Sequence, residues 1–317
     1  MPSSRIRVLN LLPGLAGTGL VPEAMVYPKS LAGRLAMLRR ARRADVVVLQ
    51  KKLPSPVEAV LLRQCARRLV FDFDDAIYCK HEGGGQVASR SRERKTNGIL
   101  RRSDLVIAGN EILKRYAEPH CPRVRVIPSC VAVSGIPVQS HAPHEGPLVI
   151  GWVGGRINLG HLQGVAPVLQ RLARRHDIVL HVVCDAGVDM PGAPVVHVPW
   201  KLETEAAEVA RFDIGIMPLP ASRHAEGKCG YKAIQCMAAG VPVVVSDVGI
   251  NREVVEHGRQ GFVATDAEAF ERHLETLIEQ PEQRAAMGRA GRAKAAERYS
   301  VEHGSRLLAA ALKEAMA

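Results

Sequence analysis

The sequence predicts an α/β protein made of two doubly wound parallel sheets, and three observations carry that expectation. Short continuous runs of apolar, β-branched residues recur along the chain. Stretches with helical spacing separate them. One stretch without periodicity interrupts the series near its middle. Continuous apolar strands alternating with helices indicate parallel sheets covered on both faces. At 317 residues the chain exceeds one usual domain, and either half is long enough to bury its own core.

The elements follow in order. Residues 5–11 read as a first strand, and 45–49, 68–72, 104–108 and 124–127 as four more. Helical spacing covers 31–43, 56–67 and 110–118. Residues 131–147, rich in Pro, His, Ser and Gly, read as a linker. A second series of strands is expected at 148–153, 178–183, 195–198, 213–217 and 241–246, followed by helices at 267–278, 281–298 and 301–316. The expected organisation is a Rossmann-like domain over 1–140, a second over 148–299, and a terminal helix over 300–317 that crosses back to the first. Two such domains would face a cleft, with ligands at the carboxyl ends of the strands.

Composition narrows the class. With 47% hydrophobic and 24% charged residues the chain is an ordinary globular one. No apolar run reaches the roughly 18–20 residues that span a bilayer, and no signal-peptide core follows Arg5 and Arg7. Seven cysteines, an odd number without a CxxC pair, point to reduced thiols in a cytoplasmic protein and away from a disulfide framework or zinc ribbon. His81, His120 and His224 lack ligand spacing, so no metal site is expected. Residues 1–147 carry 24 Lys and Arg against 12 Asp and Glu, so the net charge of +11 resides in the N-terminal half. That half suits an anionic partner, or is simply a solvated basic face. Nucleic acid is disfavoured, because only 4% of residues are aromatic and no RNA-binding motif interleaves aromatics with the basic clusters.

The stretch 223–248, RHAEGKCGYKAIQCMAAGVPVVVSDV, reads as loop, helix, glycine turn and buried strand. A glycine-bearing loop feeding a helix N-terminus offers free N–H groups and a positive dipole end, a ready diphosphate site. It is equally a plain strand–loop–helix connection. Lys228 and Lys232 add positive charge, and Glu226 can accept hydrogen bonds from sugar hydroxyls. Gly240 suits the C′ position of the helix, where φ is positive.

This stretch resembles the donor-binding segment of retaining GT-B glycosyltransferases of family 4, the glycosyl transferases group 1, in a short-chain branch. The tail Met237-Ala-Ala-Gly240-Val-Pro242-Val-Val fits the family pattern, and Glu253 to Val263 resembles its continuation. The resemblance implies a GT-B fold, a nucleotide-sugar donor as co-substrate with no other cofactor, no metal, and retention of anomeric configuration. It implies donor contacts by Gly227, Lys228, Cys229, Gly230, Lys232 and Gln235, with Glu226 on the sugar. Gln235 stands where the family has its second acidic residue and Gly227 where it has the first. A glutamine can still hold a ribose hydroxyl.

Leu148 to Leu162 resembles the family's first C-domain strand and phosphate loop, giving Gly154, Gly155 and Arg156 as donor-binding residues; the family's lysine near residue 160 is missing. The string Phe71-Asp-Phe-Asp74-Asp75-Ala-Ile-Tyr78 is similar to one in the short-chain branch, where it implies that Asp74 and Asp75 line the active site. Its plainer reading is a helix cap with a salt bridge to Arg67 or Arg68. Gly17 and Gly19 belong to a glycine-rich first loop, and Lys51 and Asn110 follow strand ends; all four are expected to line the cleft or touch the acceptor.

The expected activity is therefore sugar transfer to a lipid-linked acceptor or polysaccharide precursor, in cell-envelope biosynthesis. The protein would be cytoplasmic, or peripheral on the inner face of an anionic membrane through its basic N-domain. A nucleotide-sugar epimerase of the same fold and a non-catalytic nucleotide-sugar-binding protein are the alternatives. A dinucleotide dehydrogenase is disfavoured, since 14–19 lacks G-x-G-x-x-G.

Overall fold

The computed structural model describes residues 2–82, 85–142 and 145–317, so linker residues 143 and 144 lie outside the described residues. The side chain of His81 lies outside them too. The chain divides into two compact units. One comprises Met1–Cys130, Ser222–Cys229 and Val301–Ala317; the other comprises Val131–Ala221 and Gly230–Ser300. The division therefore falls at residue 130 rather than 140, and it assigns eight residues of the 223–248 stretch and its approach to the first unit.

In chain order the elements begin with α1 (Pro2–Ser4), a further helical turn at Arg5–Leu9 and a 3-10 turn at Leu12–Leu15. Next come α2 (Leu31–Ala41), β1 (Val47–Gln50), α3 (Pro56–Cys65), β2 (Leu69–Phe73), the antiparallel pair β3 (Cys79–Glu82) and β4 (Gly85–Ala88), α4 (Arg90–Leu100), β5 (Leu105–Ala108), α5 (Glu111–Ala117) and β6 (Val124–Val126). There follow β7 (Leu148–Val153), α6 (Leu159–Gln163), α7 (Ala166–Ala173), β8 (Ile178–Cys184), β9 (Val195–Pro199), α8 (Glu205–Val209) and β10 (Ile214–Met217). The chain ends with α9 (Arg223–Glu226), α10 (Tyr231–Ala238), β11 (Val243–Ser246), α11 (Asn251–Val254), β12 (Gly261–Ala264), α12 (Ala267–Glu279), α13 (Pro281–Arg298) and α14 (Val301–Met316).

In the first unit four parallel strands lie in the order β1-β2-β5-β6. Each crossover steps the same way, and right-handed crossovers then put their helices on one face. On that face Leu69, Phe71 and Phe73 pack with Leu62 of α3, Ile99 and Leu100 of α4 and Leu113 of α5. The alternate residues Val70, Leu105 and Ile107 face the other way, as the two-residue strand period requires. They are covered by Leu11 and Leu15 and by Leu308, Ala309 and Leu312 of α14. Ser305 Oγ donates to the Leu11 carbonyl at 3.0 Å, and Arg125 pairs with Glu314 at 2.7 Å.

One expectation is corrected here: residues 5–11 are a helical turn over Arg5–Leu9 followed by a turn, not a strand. β2 already has β1 on one side and β5 on the other, so this run lies on the sheet face instead of within it. Its apolar members Ile6 and Leu11 are buried there, and Arg7 reaches inward to Asp72. The loop expected over 224–230 also begins with the turn of α9. Among elements not anticipated are the β3/β4 pair, α4 and β12.

In the second unit six parallel strands lie in the order β12-β11-β10-β7-β8-β9. Numbered within the unit this is 6-5-4-1-2-3, the Rossmann order, whose direction reverses between β7 and β10. Gly151 on β7 has no room for a Cβ, because the Phe212 ring lies against it. Gly240 has φ +73°, the left-handed turn that ends α10. The Lys294 ammonium on α13 is buried and donates to the Glu253 carbonyl at 2.8 Å and to Glu256 at 3.0 Å.

Lys294 and Arg259 hold the Glu256 carboxyl down to about 2. A carboxyl lowered on folding contributes stability that is present above its ordinary range and lost as pH falls through the folded value. The melting temperature should drop between pH ~4 and ~2, and Glu256→Gln should flatten that part of the profile; an unchanged slope in thermal melts would remove the pair from the acid response.

Candidate functional site

The carboxyl ends of three adjacent parallel strands gather one cluster in the first unit. Lys51 follows β1, Asp74 and Asp75 follow β2, and Gly109 and Asn110 follow β5. Lys51 adopts φ +56°, uncommon for a residue with a side chain. Its N–H donates to the Asp72 carbonyl at 2.7 Å. Its ammonium lies 3.1 Å from Asp74 Oδ1, pairs with Asp75 and donates to Ser3 Oγ at 2.9 Å. Burial works against the ammonium, but Asp75 and Asp74 outweigh it and hold Lys51 above its ordinary range. Asp74 Oδ1 is buried, with the Lys51 ammonium beside it. Behind this group, Arg7 and Asp72 form a buried ion pair, and Arg7 Nη1 also donates to the Ile127 carbonyl at 2.5 Å.

The segment Ser222–Cys229 is clasped onto the same cluster. Asn110 caps α5 by accepting from the Leu113 N–H at 2.8 Å. Its amide donates to the carbonyls of Gly227 at 3.1 Å and Lys228 at 3.2 Å. The Cys229 thiol donates to the Asp74 carbonyl at 3.1 Å, and burial, aided by the Asp74 charge, keeps it protonated well above its ordinary range. Two glycines permit this approach: a Cβ on Gly227 would meet Ala76, and one on Gly109 would overlap Cys229 Sγ. Arg223 lies over the Tyr78 ring at 5.3 Å, and Tyr78 stacks on Tyr116 at 3.8 Å. Glu226, exposed at the end of α9, belongs to this unit as well.

In the second unit, the loop after β7 emerges at the reversal point of the sheet. It holds Gly154, Gly155 and Arg156. The Lys232 ammonium on α10 lies 4.2 Å over the Trp152 ring, a cation–π contact. A Cβ on Gly154 would overlap both, so only glycine fits there. The Arg156 N–H donates to Asp185 Oδ1 at 2.6 Å, and that bond lowers the Asp185 carboxyl. Asp185 follows β8. Gly230 opens α10 in the left-handed region, φ +64°, and Gln235 is buried within that helix.

The expected site residues thus fall into two groups. Asp74, Asp75, Lys51, Asn110, Glu226, Gly227, Lys228 and Cys229 lie in the first unit. Gly154, Gly155, Arg156, Gly230, Lys232 and Gln235 lie in the second. The placement of Gly227, Lys228 and Cys229 departs from a donor segment read wholly into the C-terminal domain. Gly17 and Gly19, both at positive φ, follow a 3-10 turn and have open space where a Cβ would sit. Trp152, Asp185 and the Arg7–Asp72 pair were passed over in the sequence. A tryptophan two residues before a glycine pair is the available signal for the first. A third group of ligand-type side chains, His176, Glu275 and Glu279, lies elsewhere in the second unit, where Arg175 also pairs with Glu275.

Residues 148–280 match the family described as Glycosyl transferases group 1. Sucrose-phosphate synthase from Thermosynechococcus elongatus superposes with a TM-score of 0.68 at 15% identity, over 93% of this chain and 82% of its own. HepE of Anabaena in complex with UDP and glucose superposes with a TM-score of 0.69 at 16% identity, over 89% and 82%. The fold is GT-B. The family match falls in the second unit, apart from Ser222–Cys229, which belong to the first. In sequence, a GDP-mannose-dependent alpha-mannosyltransferase of Mycolicibacterium smegmatis is 28% identical over 225 residues. That comparison covers 66% of this chain, which spans 56% of the length of the relative.

Asn110 joins two elements by one amide. Asn110→Ala should lose about 2 kcal/mol, roughly half from the helix cap and half from the carbonyls left without a donor. Asn110→Ser, which keeps the cap, should recover about half of that in denaturant titrations; identical losses would mean the amide contributes nothing.

Proposed function

We propose that the chain is a glycosyltransferase that takes a sugar from a nucleotide-sugar donor. The observation that carries this reading is the glycine loop Gly154–Gly155–Arg156 at the reversal point of a Rossmann-ordered sheet, within the segment that matches the family. Ligands of open α/β sheets bind at that point. The names of two relatives support a nucleotide-sugar donor: the mannosyltransferase is GDP-mannose-dependent, and HepE was solved with UDP-glucose.

In this reading Arg156 and Lys232 stabilise the charge that develops on the departing diphosphate, with Lys228 as a further cation. Charges and dipoles fixed in place before the reaction commonly lower a barrier more than any other single effect. Gln235 hydrogen-bonds the donor ribose and Glu226 a sugar hydroxyl. Asp74 and Asp75, held by Lys51, orient the acceptor through the carboxylate lone pairs that the ammonium leaves unused. The bond from the anomeric carbon to the phosphate oxygen breaks, and a bond to the acceptor oxygen forms on the same face. The acceptor proton passes to the departing phosphate, so the reaction retains configuration and uses no metal. A lipid-linked sugar or polysaccharide precursor is the proposed acceptor, at the cytoplasmic side of the cell envelope.

A thermal-shift screen against UDP-, GDP-, ADP- and TDP-sugars tests the donor site. One donor class at ~100 times its dissociation constant should stabilise the protein by about 2.7 kcal/mol. The shift should survive EDTA and disappear in Arg156→Ala. No shift with any donor would sink the reading, and conversion of the donor to an isomer without acceptor would replace it with epimerisation.

A further inference from the structure

In a folded protein, single exposed aliphatic residues are ordinary and a cluster of them is not. The first unit carries such a cluster along α2, α3 and the segment before them. Val21 is 98% exposed, Val26 90%, Leu31 74% and Val57 69%, and Met25, Leu35, Val60 and Leu61 are exposed beside them. Leu31 and Leu35 stand one turn apart on α2, and Val57, Val60 and Leu61 form an i, i+3, i+4 stripe on α3.

These residues belong to one surface. Arg34 of α2 pairs with Glu58 of α3 and donates to the Pro28 carbonyl at 3.4 Å. Arg40 pairs with Glu23 at 2.5 Å, which lays the exposed segment alongside α2. The helices are well made on their inner sides: Ser30 caps α2, and Ser55 with Glu58 forms a capping box on α3. The outward aliphatic residues are therefore presented by ordered helices.

Charge selects the occupant. Residues 16–43 contain Lys29, Arg34, Arg39, Arg40, Arg42 and Arg43 against one carboxylate, Glu23. Arg39, Arg40, Arg42 and Arg43 are exposed at the C-terminal end of α2, next to the Leu31 and Leu35 stripe. A second copy of this chain would bring the same positive charge and be repelled. An aliphatic stripe bordered by arginines matches the boundary of an anionic bilayer, where acyl chains take the apolar residues and headgroups take the cations.

We infer that the α2–α3 face of the first unit, with the preceding segment, is a membrane-binding surface for anionic phospholipid. Leu31, Leu35, Val21 and Val26 enter the interface, and Arg39, Arg40, Arg42 and Arg43 contact phosphate headgroups. No helix of the described residues is long and apolar enough to cross a membrane; the inferred attachment lies in the interface and is weakened by high salt. This inference deepens the proposal of an acceptor held in a lipid, but it rests on the surface itself.

Co-sedimentation of the full chain with vesicles tests it. The protein should bind vesicles of phosphatidylcholine with phosphatidylglycerol about tenfold or more tightly than pure phosphatidylcholine. Leu31→Ser with Leu35→Ser, and separately Arg39→Glu with Arg43→Glu, should each weaken binding by about tenfold or more, at unchanged melting temperature. All four positions are exposed, so the variants should fold. No binding to either vesicle, equal binding to both, or full binding by the Leu31/Leu35 variant would overturn the inference. So would self-association abolished by the same variant, which would assign the face to a second copy. The readout is partition and not sugar transfer, so a negative result leaves the transferase reading standing.

Discussion

Parallel pairing is the constraint on which both units depend. Strands that all run one way deliver every carboxyl end to one edge of the sheet, and every following loop emerges there. Lys51, Asp74 and Asn110 meet because β1, β2 and β5 are neighbours, although 59 positions separate the first from the last in sequence. Arg156 and Asp185 meet because β7 lies beside β8. The sheet order collects each grouping, and the loops refine it, most visibly at Lys51 with its φ of +56°.

Burial then decides which charges survive at those edges. Arg7 and Asp72 are both withdrawn from water, a costly arrangement unless the pair is well bonded. Arg7 spans two carboxylate oxygens and the Ile127 carbonyl, so its donors are largely satisfied. That fixed cation and Lys51 sit behind and beside Asp74 and Asp75. The cluster is therefore nearly balanced in charge, not a bare acidic patch. A polar substrate group approaching it would meet oriented carboxylates and little net field.

Much of the fold was legible because parallel strands announce themselves as apolar runs. β7, α13 and α14 carry the expected bounds, and most other strands differ by a residue or two. Residues 5–11 misled because a run with Ile6 and Val8 on it has strand character locally, while neighbours along the sheet are settled by residues far away. β12 was hard to read because Gly261 to Ala264 is short and starts on a glycine pressed against the Val243 backbone. In the candidate site, glycines and strand-end charges were visible as types. The sharing of Asn110 between a helix cap and two distant carbonyls was not, since a pairing over 117 positions leaves no local trace.

The first unit is assembled from three separated pieces of chain, and this has a bearing on its synthesis. Its four-stranded sheet is complete in sequence by residue 126, yet α14, which covers one face, is made only after the second unit. Val70, Leu105 and Ile107 must wait on the ribosome with only the Leu11 and Leu15 side of their cover while the entire second unit is translated. The apolar face exposed in that interval is a natural substrate for a holding chaperone. A fragment cut at residue 130 would remain in that unfinished condition permanently, so the first unit is a domain in space without being one in the order of its making.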